Sequence, residues 1–175
     1  HLYRTQPPVG WTAIEGDCRP VAFYAEELPG MGGDYVRSRV PFLHNNDVVL
    51  SMARLTEPMT DHFRNADGDE VLFVHRGAGR IETDFGPLNY RRGDYLVVPR
   101  GTVYRLNPVE ETALLVVETA GQVDVPERGL MGKHALFDPD VIEVPTPEAN
   151  PEEPGRTAWN LCVKRAGKLT RVEYP

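Results

Sequence analysis

A single carboxylate, Glu70, lies where the sequence has the spacing of a metal site, at the start of the apolar run EVLFV. Divalent iron and zinc bind well to imidazoles combined with a carboxylate, and in the known metal sites that this spacing resembles, two histidines one residue apart precede the glutamate. Depending on the gap, those two positions hold Phe63 and Asn65 or Arg64 and Ala66. Neither choice gives an imidazole, and phenylalanine offers no donor at all.

Tight-turn residues surround this glutamate at regular intervals. Gly77 follows it after six residues, and Gly93, Pro99 and Gly101 come next, with Tyr104 after two further residues. The spacing resembles the paired motifs of cupins, small β-barrels that often hold a metal between their strands. The resemblance implies a further histidine ligand where Tyr104 stands, and a neutral tyrosine, with a pKa of about 10, coordinates poorly unless the metal deprotonates it. We therefore expect a barrel that keeps its turns and holds no metal, and we assign no catalytic, cofactor-binding or metal-binding residue to this chain.

The five histidines do not complete the site. His1 is terminal, and His44 lies in the turn-like stretch HNND. His62 precedes the incomplete motif; we favour a solvated residue at a strand end over a shifted metal ligand, because no second histidine has strand spacing. His75 shares a strand face with two apolar residues, so we expect a core or edge histidine with one hydrogen bond. His134 lies in the loop 128–137, where we expect a surface role.

Two other groups of charged residues have weaker claims to a site. Asp67 and Asp69 in NADGDE resemble a cation-binding loop, but the calcium-loop spacing is not met, and an acidic β-turn accounts for them. Several arginines surround the second motif, which runs from Gly93 to Tyr104. They could attract an anion, although interspersed surface charge is the simpler interpretation. They are Arg91, Arg92, Arg100 and Arg105.

Short β-strands must position these groups. Apolar and β-branched runs recur between turn residues, which predicts an all-β sandwich or barrel and not βαβ units; no long segment shows a helical period. Segment 36–45 contains Pro41, typical of an edge strand or a bend. The other predicted strands are 21–24, 47–55 (apolar on both faces), 70–76, 80–85, 94–99, 103–106 and 113–119, with a tight connection at 77–79 and turns at 85–87, 92–94 and 107–108.

Composition divides the chain into four regions. Residues 1–33, rich in Pro and Gly, are expected to form an N-terminal arm, and residues 34–138 a cupin-like jelly-roll β-barrel. Five prolines among acidic residues make 139–158 a semi-rigid connector. Residues 159–175 are predicted to form a hairpin with its turn at 165–168. A hairpin alone is marginally stable, so it packs on the barrel or on polypeptide absent here, and we expect it to lead towards a C-terminal domain.

The overall composition argues against several kinds of partner. A chain of 175 residues, 41% hydrophobic, suits one domain with a real core. The net charge of −7 argues against nucleic acid, and no apolar run approaches the roughly 20 residues that span a bilayer. Cys18 and Cys162 form no CxxC pair, so a zinc site is unsupported and a reducing cytoplasm fits best. A disulfide between these two distant cysteines stays open.

A more specific resemblance covers residues 42–119. The stretches LHNNDVVLSMARLTEPM, RNADGDEVLFVH and GDYLVVPRGT are together similar to the N-terminal part of homogentisate 1,2-dioxygenases. The resemblance implies a non-haem Fe(II) enzyme that opens the ring of homogentisate with O2, giving maleylacetoacetate in tyrosine and phenylalanine breakdown, and a trimeric or hexameric assembly. It also implies that the iron is held, by two histidines and a glutamate, in a C-terminal half that no stretch of this chain matches.

Three functions therefore remain open. The first is an N-terminal scaffold domain of a dioxygenase that acts on homogentisate or another aromatic acid, with the arm and the hairpin as contact elements. The second is a free-standing, metal-free cupin that binds a small organic ligand. The third is a metal-free sugar-modifying enzyme, which needs an acid–base pair such as His62 or His75 with Tyr104, and no spacing in the sequence favours that pair.

Overall fold

The computed structural model describes residues 3, 5, 10, 12–17, 19–22, 24–125, 138–148 and 158–175. Within them lie one short helix, α1 (Tyr35–Ser38), and two 3₁₀ turns, Ala25–Glu27 and Pro139–Val141. No helix in these ranges is long and apolar enough to cross a membrane. The strands are β1 (Val40–His44), β2 (Val48–Leu55), β3 (His62–Asn65), β4 (Asp69–Arg76), β5 (Ala78–Thr83), β6 (Gly86–Arg91), β7 (Tyr95–Val98), β8 (Val103–Pro108), β9 (Thr112–Thr119), β10 (Trp159–Arg165) and β11 (Lys168–Tyr174).

The strands form two sheets that enclose one core. The first sheet has five strands in the order β1-β2-β9-β4-β7, and the second has six in the order β11-β10-β3-β8-β5-β6. Most consecutive strands are not neighbours in their sheet, because the chain crosses repeatedly between the two layers. This arrangement confirms the predicted all-β jelly roll.

Alternation along each strand explains why these residues form a two-layered barrel. In β9 every second residue is buried and the residues between are only partly buried, and β4 follows the same pattern over most of its length. Successive side chains of a strand point to opposite faces, so one face of each strand faces the interior. Most of the buried apolar side chains of both sheets form one cluster, which includes Leu72, Val74, Leu106, Leu114 and Val116.

The C-terminal hairpin extends the six-stranded sheet. Strand β10 runs parallel to β3, with Leu161 opposite His62 and Lys164 opposite Asn65, and β11 pairs with β10 in antiparallel register. Of the two positions left open by the sequence, the structure therefore places the hairpin on the barrel. The described part of the connector also approaches the second sheet, since Arg80 on β5 forms an ion pair with Glu148 at 2.7 Å.

Several predicted elements are corrected by the structure. Residues 21, 22 and 24 are not in a strand, and the turn predicted at 107–108 belongs to β8. The turn predicted at 85–87 includes the first residues of β6, a strand that the sequence reading missed although Pro87 is tolerated in this edge strand. Strand β3 and helix α1 were also missed, because each has only four residues.

Gly77 and Gly93 have the same backbone angle but differ in how closely other atoms surround them, so comparing them distinguishes backbone strain from steric crowding. Gly77 and Gly93 both have φ of +96°, a conformation that costs an L-residue about 1–2 kcal/mol. A Cβ at Gly77 would lie 2.6 Å from the Cα of Thr112, whereas a Cβ at Gly93 would meet no atom within 4 Å.

We expect Gly77→Ala to lower the free energy of unfolding by about 1–3 kcal/mol more than Gly93→Ala, since overpacking adds to the strain. Urea-induced unfolding of both variants and the wild type measures the difference. Equal losses for the two variants would contradict the crowding at Gly77.

Candidate functional site

The motif positions converge inside the barrel. Strand β3 turns Phe63 and Asn65 inward, with 2% and 3% of their surface exposed, while Arg64 between them is only partly buried. Of the two residue pairs considered from the sequence, Phe63 and Asn65 are therefore the pair that faces the interior. Phe63 lies opposite Tyr104 on the neighbouring strand β8, so three of the four expected ligand positions point to one place and hold no imidazole.

Glu70, the fourth position, is fully buried and bound by three donors. The Tyr104 hydroxyl donates to its Oε2 at 2.7 Å, and the Tyr35 hydroxyl donates to its Oε1 at 3.2 Å. The same Oε1 accepts a hydrogen bond from Nη1 of Arg39. A carboxylate buried in this way is stabilised by charge-assisted hydrogen bonds, and both of its oxygens are already engaged.

A second buried glutamate lies directly beside the first. Glu118 on β9 is the register partner of Glu70 on β4, and it is 7% exposed. Like charges at directly opposed positions destabilise a sheet, and burial increases the cost of each charge. The guanidinium of Arg39 bridges the two carboxylates, with Nη1 donating to Glu70 and Nη2 to Glu118.

Helix α1 brings Arg39 and Tyr35 into the barrel. The carboxylate of Asp34 accepts a hydrogen bond from the backbone N–H of Arg37 at 2.9 Å and caps the helix. Tyr35, at the first helical position, is fully buried, and Arg39 follows the last helical residue with 12% of its side chain exposed. The Arg39 guanidinium also lies 5.8 Å from the centre of the Tyr35 ring, a cation–π distance.

The ionic network continues to the C-terminal hairpin. Nζ of Lys164 on β10 donates to Glu118 and lies 3.6 Å from Oδ2 of Asp67. Asp67 in turn accepts hydrogen bonds from the backbone N–H groups of Ala166 and Gly167 in the hairpin turn. The described network thus alternates in sign from the barrel interior to the hairpin.

Aromatic rings fill the space beside Glu70. The ring centres of Tyr35 and Phe63 are 6.0 Å apart, those of Tyr35 and Tyr104 are also 6.0 Å apart, and those of Phe63 and Tyr104 are 5.6 Å apart. These are distances of favourable edge-to-face and tilted packing. The rings and the guanidinium together occupy the region towards which the motif positions point.

The protonation states of the site follow from this environment. Burial raises the pKa of Tyr104 well above its ordinary value, and the negative charge of Glu70 raises it further. Burial also raises the pKa of Tyr35. Both hydroxyls therefore keep the protons that they donate to Glu70. For Glu118, burial acts to raise the pKa, but the hydrogen bond from Lys164 and the charge of Arg39 outweigh it, so the pKa is lowered.

This set of groups does not fit a divalent metal. The carboxylate that could serve as a ligand is held by a cationic guanidinium and two hydroxyl donors, and the other three motif positions supply a phenyl ring, an amide and a protonated phenol. Across the described ranges, no three His, Cys, Asp or Glu side chains come together as a possible metal site. A site for iron needs imidazoles with the carboxylate.

None of the described histidines contacts Glu70, and of the acidic turn only Asp67 joins the network, through Lys164. His44 and His75 are exposed, so the core position considered for His75 is wrong. His62 is not a fully solvated strand end: it is partly buried, with its ring centre 5.7 Å from that of Trp159. The carboxylate of Asp69 accepts hydrogen bonds from the backbone N–H groups of Arg100 and Val123. His1 and His134 lie outside the described residues.

The arginines of the second motif do not gather into an anion site. Arg91, Arg92 and Arg100 are exposed, and Arg105 donates to Glu82 at 2.8 and 3.0 Å. Four other residues of the site were not predicted from the sequence: Arg39, Tyr35, Glu118 and Lys164. The one available signal was indirect, since a buried Glu70 without a metal requires a cation from elsewhere in the chain.

The sheets and the interior define a class of protein, a cupin-like jelly-roll barrel whose motif glutamate is bound by an arginine of the same chain. Residues 34–174 match the family model described as "Homogentisate 1,2-dioxygenase N-terminal". The chain belongs to this homogentisate 1,2-dioxygenase N-terminal family.

Two curated relatives show the extent of the similarity. The chain is 33% identical over 124 residues to a homogentisate 1,2-dioxygenase of Bradyrhizobium diazoefficiens, which covers 69% of this chain and 27% of that protein. It is 34% identical over 131 residues to the homogentisate 1,2-dioxygenase of Rhodopseudomonas palustris strain HaA2, covering 73% and 29%. The chain thus spans less than a third of the length of these relatives.

Solved structures with a similar fold include a cupin superfamily protein from Desulfitobacterium hafniense. The alignment has a TM-score of 0.46 and 14% sequence identity, and covers 61% of this chain and 94% of that chain.

Replacing the internal cation tests the site directly. We expect Arg39→Met to lower the free energy of unfolding by about 3–5 kcal/mol, because it leaves two buried carboxylates without their shared partner. Arg37→Met, two residues earlier in α1 and with a side chain 78% exposed, should change it by less than about 0.5 kcal/mol. Urea titration of both variants compares them, and similar small losses would contradict a bridging role for Arg39.

Because the pKa of Glu118 is lowered, the free energy of unfolding should depend on pH in the acid range. A depressed carboxylate pKa contributes stability that is complete above the ordinary value of 4.5 and is lost as the pH falls through the lowered folded-state value. We expect Glu118→Gln to reduce the slope of unfolding free energy against pH below 4.5, measured by urea titration at a series of pH values.

Glu111→Gln provides the matched control. Hydrogen bonding from Arg54 also lowers the pKa of Glu111, but this side chain is 38% exposed. Its effect on the slope should vanish in ~1 M NaCl, where surface charges are screened, whereas the effect of Glu118→Gln should persist. Loss of both effects in salt would show that Glu118 is accessible to solvent ions.

Proposed function

We propose that this chain is the N-terminal structural domain of a homogentisate 1,2-dioxygenase-like enzyme, and that its own barrel holds no metal. In this proposal the parent enzyme opens the ring of an aromatic acid, homogentisate by resemblance, with O2 and Fe(II), and the iron ligands belong to polypeptide outside this chain. The observation that carries the proposal is the guanidinium of Arg39, which bridges Glu70 and Glu118 where a metal would need open donors.

The chemistry of the interior supports a structural role. A catalytic site needs groups that can reach a substrate, but Tyr104 and Glu70 are fully buried and bound to each other. Neither pair considered for a sugar-modifying enzyme is supported. His75 is exposed while Tyr104 is enclosed, and His62 alternates along β3 with the inward Phe63 and packs against Trp159. What this chain supplies, in the proposal, is a rigid barrel for the rest of the enzyme.

The proposed setting is a cytoplasmic homo-oligomer, a trimer or hexamer, as the family resemblance implies. In that assembly the arm of residues 1–33 and the hairpin of β10 and β11 serve as contact elements. Leu169 and Tyr174 on β11 support this role for the hairpin, because 56% and 49% of their surface is exposed. For the alternative, a small-molecule binder, the rings of Tyr35, Phe63 and Tyr104 leave little room beside Glu70.

A metal-binding measurement tests the proposal. The purified chain is incubated anaerobically with Fe(II), desalted and analysed for metal, and the same sample is assayed for loss of homogentisate and O2. We expect far less than one iron per chain and no ring cleavage, because Glu70 is already neutralised from within. One tightly held metal per chain, or turnover of homogentisate by this chain alone, would overturn the proposal.

A redesigned variant serves as a positive control for the measurement. In this variant, Phe63→His, Asn65→His and Tyr104→His supply imidazoles at the inward motif positions, and Arg39→Ala removes the cation. The same variant with Arg39 retained should bind metal much more weakly. The guanidinium contacts Glu70 and would repel a divalent cation bound to that carboxylate. Circular dichroism of both variants verifies that they fold before the comparison is made.

A further inference from the structure

The middle of the outer face of the five-stranded sheet is apolar. In an antiparallel sheet with one solvated face, the outward residues are usually polar. On β9, Leu114 and Val116 point inward and are 1% and 0% exposed. Leu115 and Val117, which alternate with them, lie on the opposite face and are only partly buried. The strand is therefore apolar on both faces.

The apolar outward residues of β9 have apolar register partners on the neighbouring strands. Leu115 on β9 lies between Met52 on β2 and Phe73 on β4, and Phe73 lies opposite Tyr95 on β7. The rings of Phe73 and Tyr95 pack with their centres 4.8 Å apart, yet 67% of Tyr95 remains exposed. These four side chains form one apolar row across the sheet.

A second row lies two residues further along the strands. Val117 pairs with Leu50 on β2 and with Val71 on β4, and Val71 pairs with Val97 on β7. Val97 is 51% exposed. We call the two rows together the apolar face. A contiguous apolar surface of this kind on a soluble domain usually marks an interaction site.

We propose that the apolar face is the surface on which the remaining polypeptide of the parent enzyme docks, through an apolar β-sheet face of its own. This inference rests on the proposed function, and it names the partner of this sheet. Two sheets packed face to face lie about 10 Å apart with interdigitating side chains, which suits the branched and aromatic side chains of the two rows.

The size of the face favours a covalently linked partner over a second copy of the chain. Four strands about 4.8 Å apart, each with two outward residues about 6.8 Å apart, cover roughly 260 Å². A stable complex of separate proteins buries about 800 Å² on each partner, whereas domains of one chain use interfaces of about 600–1,500 Å² in total. A tether supplies a high effective concentration that a small interface needs.

The relatives are long enough to contain such a docking partner. The two homogentisate 1,2-dioxygenases align with this chain over 27% and 29% of their length. Proteins of this family therefore contain ample further polypeptide that can cover the face.

Cysteine labelling tests this inference. Val97→Cys, on the face, and Val109→Cys, 80% exposed in the turn between β8 and β9, are each made with Cys18 and Cys162 replaced by serine. Each is placed both in this chain and in a polypeptide of the relatives' length that contains it. We expect maleimide to label Val97→Cys at least about tenfold more slowly in the longer polypeptide, because a stable interface protects it, and Val109→Cys at nearly the same rate in both.

The outcomes distinguish the possible occupants. Equal labelling of Val97→Cys in both polypeptides would overturn the inference. So would protection that depends on protein concentration, or a dimer of the isolated chain that Val97→Asp abolishes, because either assigns the face to a second copy. Protection in a longer polypeptide that does not cleave homogentisate would refute the proposed function and leave the docking surface standing.

Discussion

The arrangement of the barrel depends on one ionic triad, in which Arg39 bridges Glu70 and Glu118. Glu70 and Glu118 are opposed on adjacent strands with both side chains turned inward, a combination that would be unfavourable without a cation between them. Arg39 supplies that cation from the segment just before β1. A guanidinium suits this position better than an ammonium, since its planar fork can address two carboxylates at once. The helix, the motif glutamate and β9 are thereby fixed relative to one another.

This interaction also connects the sequence motif with the family. Motif spacing preserves the turns of a metal-binding barrel, because glycines at positive φ and the strand lengths are required by the fold and not by the metal. Ligand identity is free to change once another cation neutralises the glutamate. The aromatic rings of Tyr35, Phe63 and Tyr104 then fill the interior as an ordinary core. Under the proposed function, such an interior belongs to a domain that supports chemistry located elsewhere.

The sequence predicted the longer strands well, because β2, β4, β9 and the hairpin have strong apolar patterns between clear turns. The resemblance to the cupin motifs identified Glu70 and Tyr104 as motif positions, and both are buried in the structure. It failed for β6, where Gly86 and Pro87 indicated a turn, and for the four-residue elements, which are too short to show a period. Arg39 could not be located from sequence, because a cation that reaches a glutamate 31 residues away obeys no local spacing rule.

The network also sets an order in which the native state can be completed during synthesis. Its members are spread from Arg39 to Lys164, and the hairpin turn is bound by Asp67, 100 residues before Gly167. Contacts of such separation form late, since the loop between them must first close. Until residue 164 has left the ribosome, Glu118 has only one of its two cations, and β3 lacks its parallel neighbour. The edge of β3 away from β8 therefore has no strand to pair with until β10 has been synthesised, and an unpaired strand edge can associate with other chains.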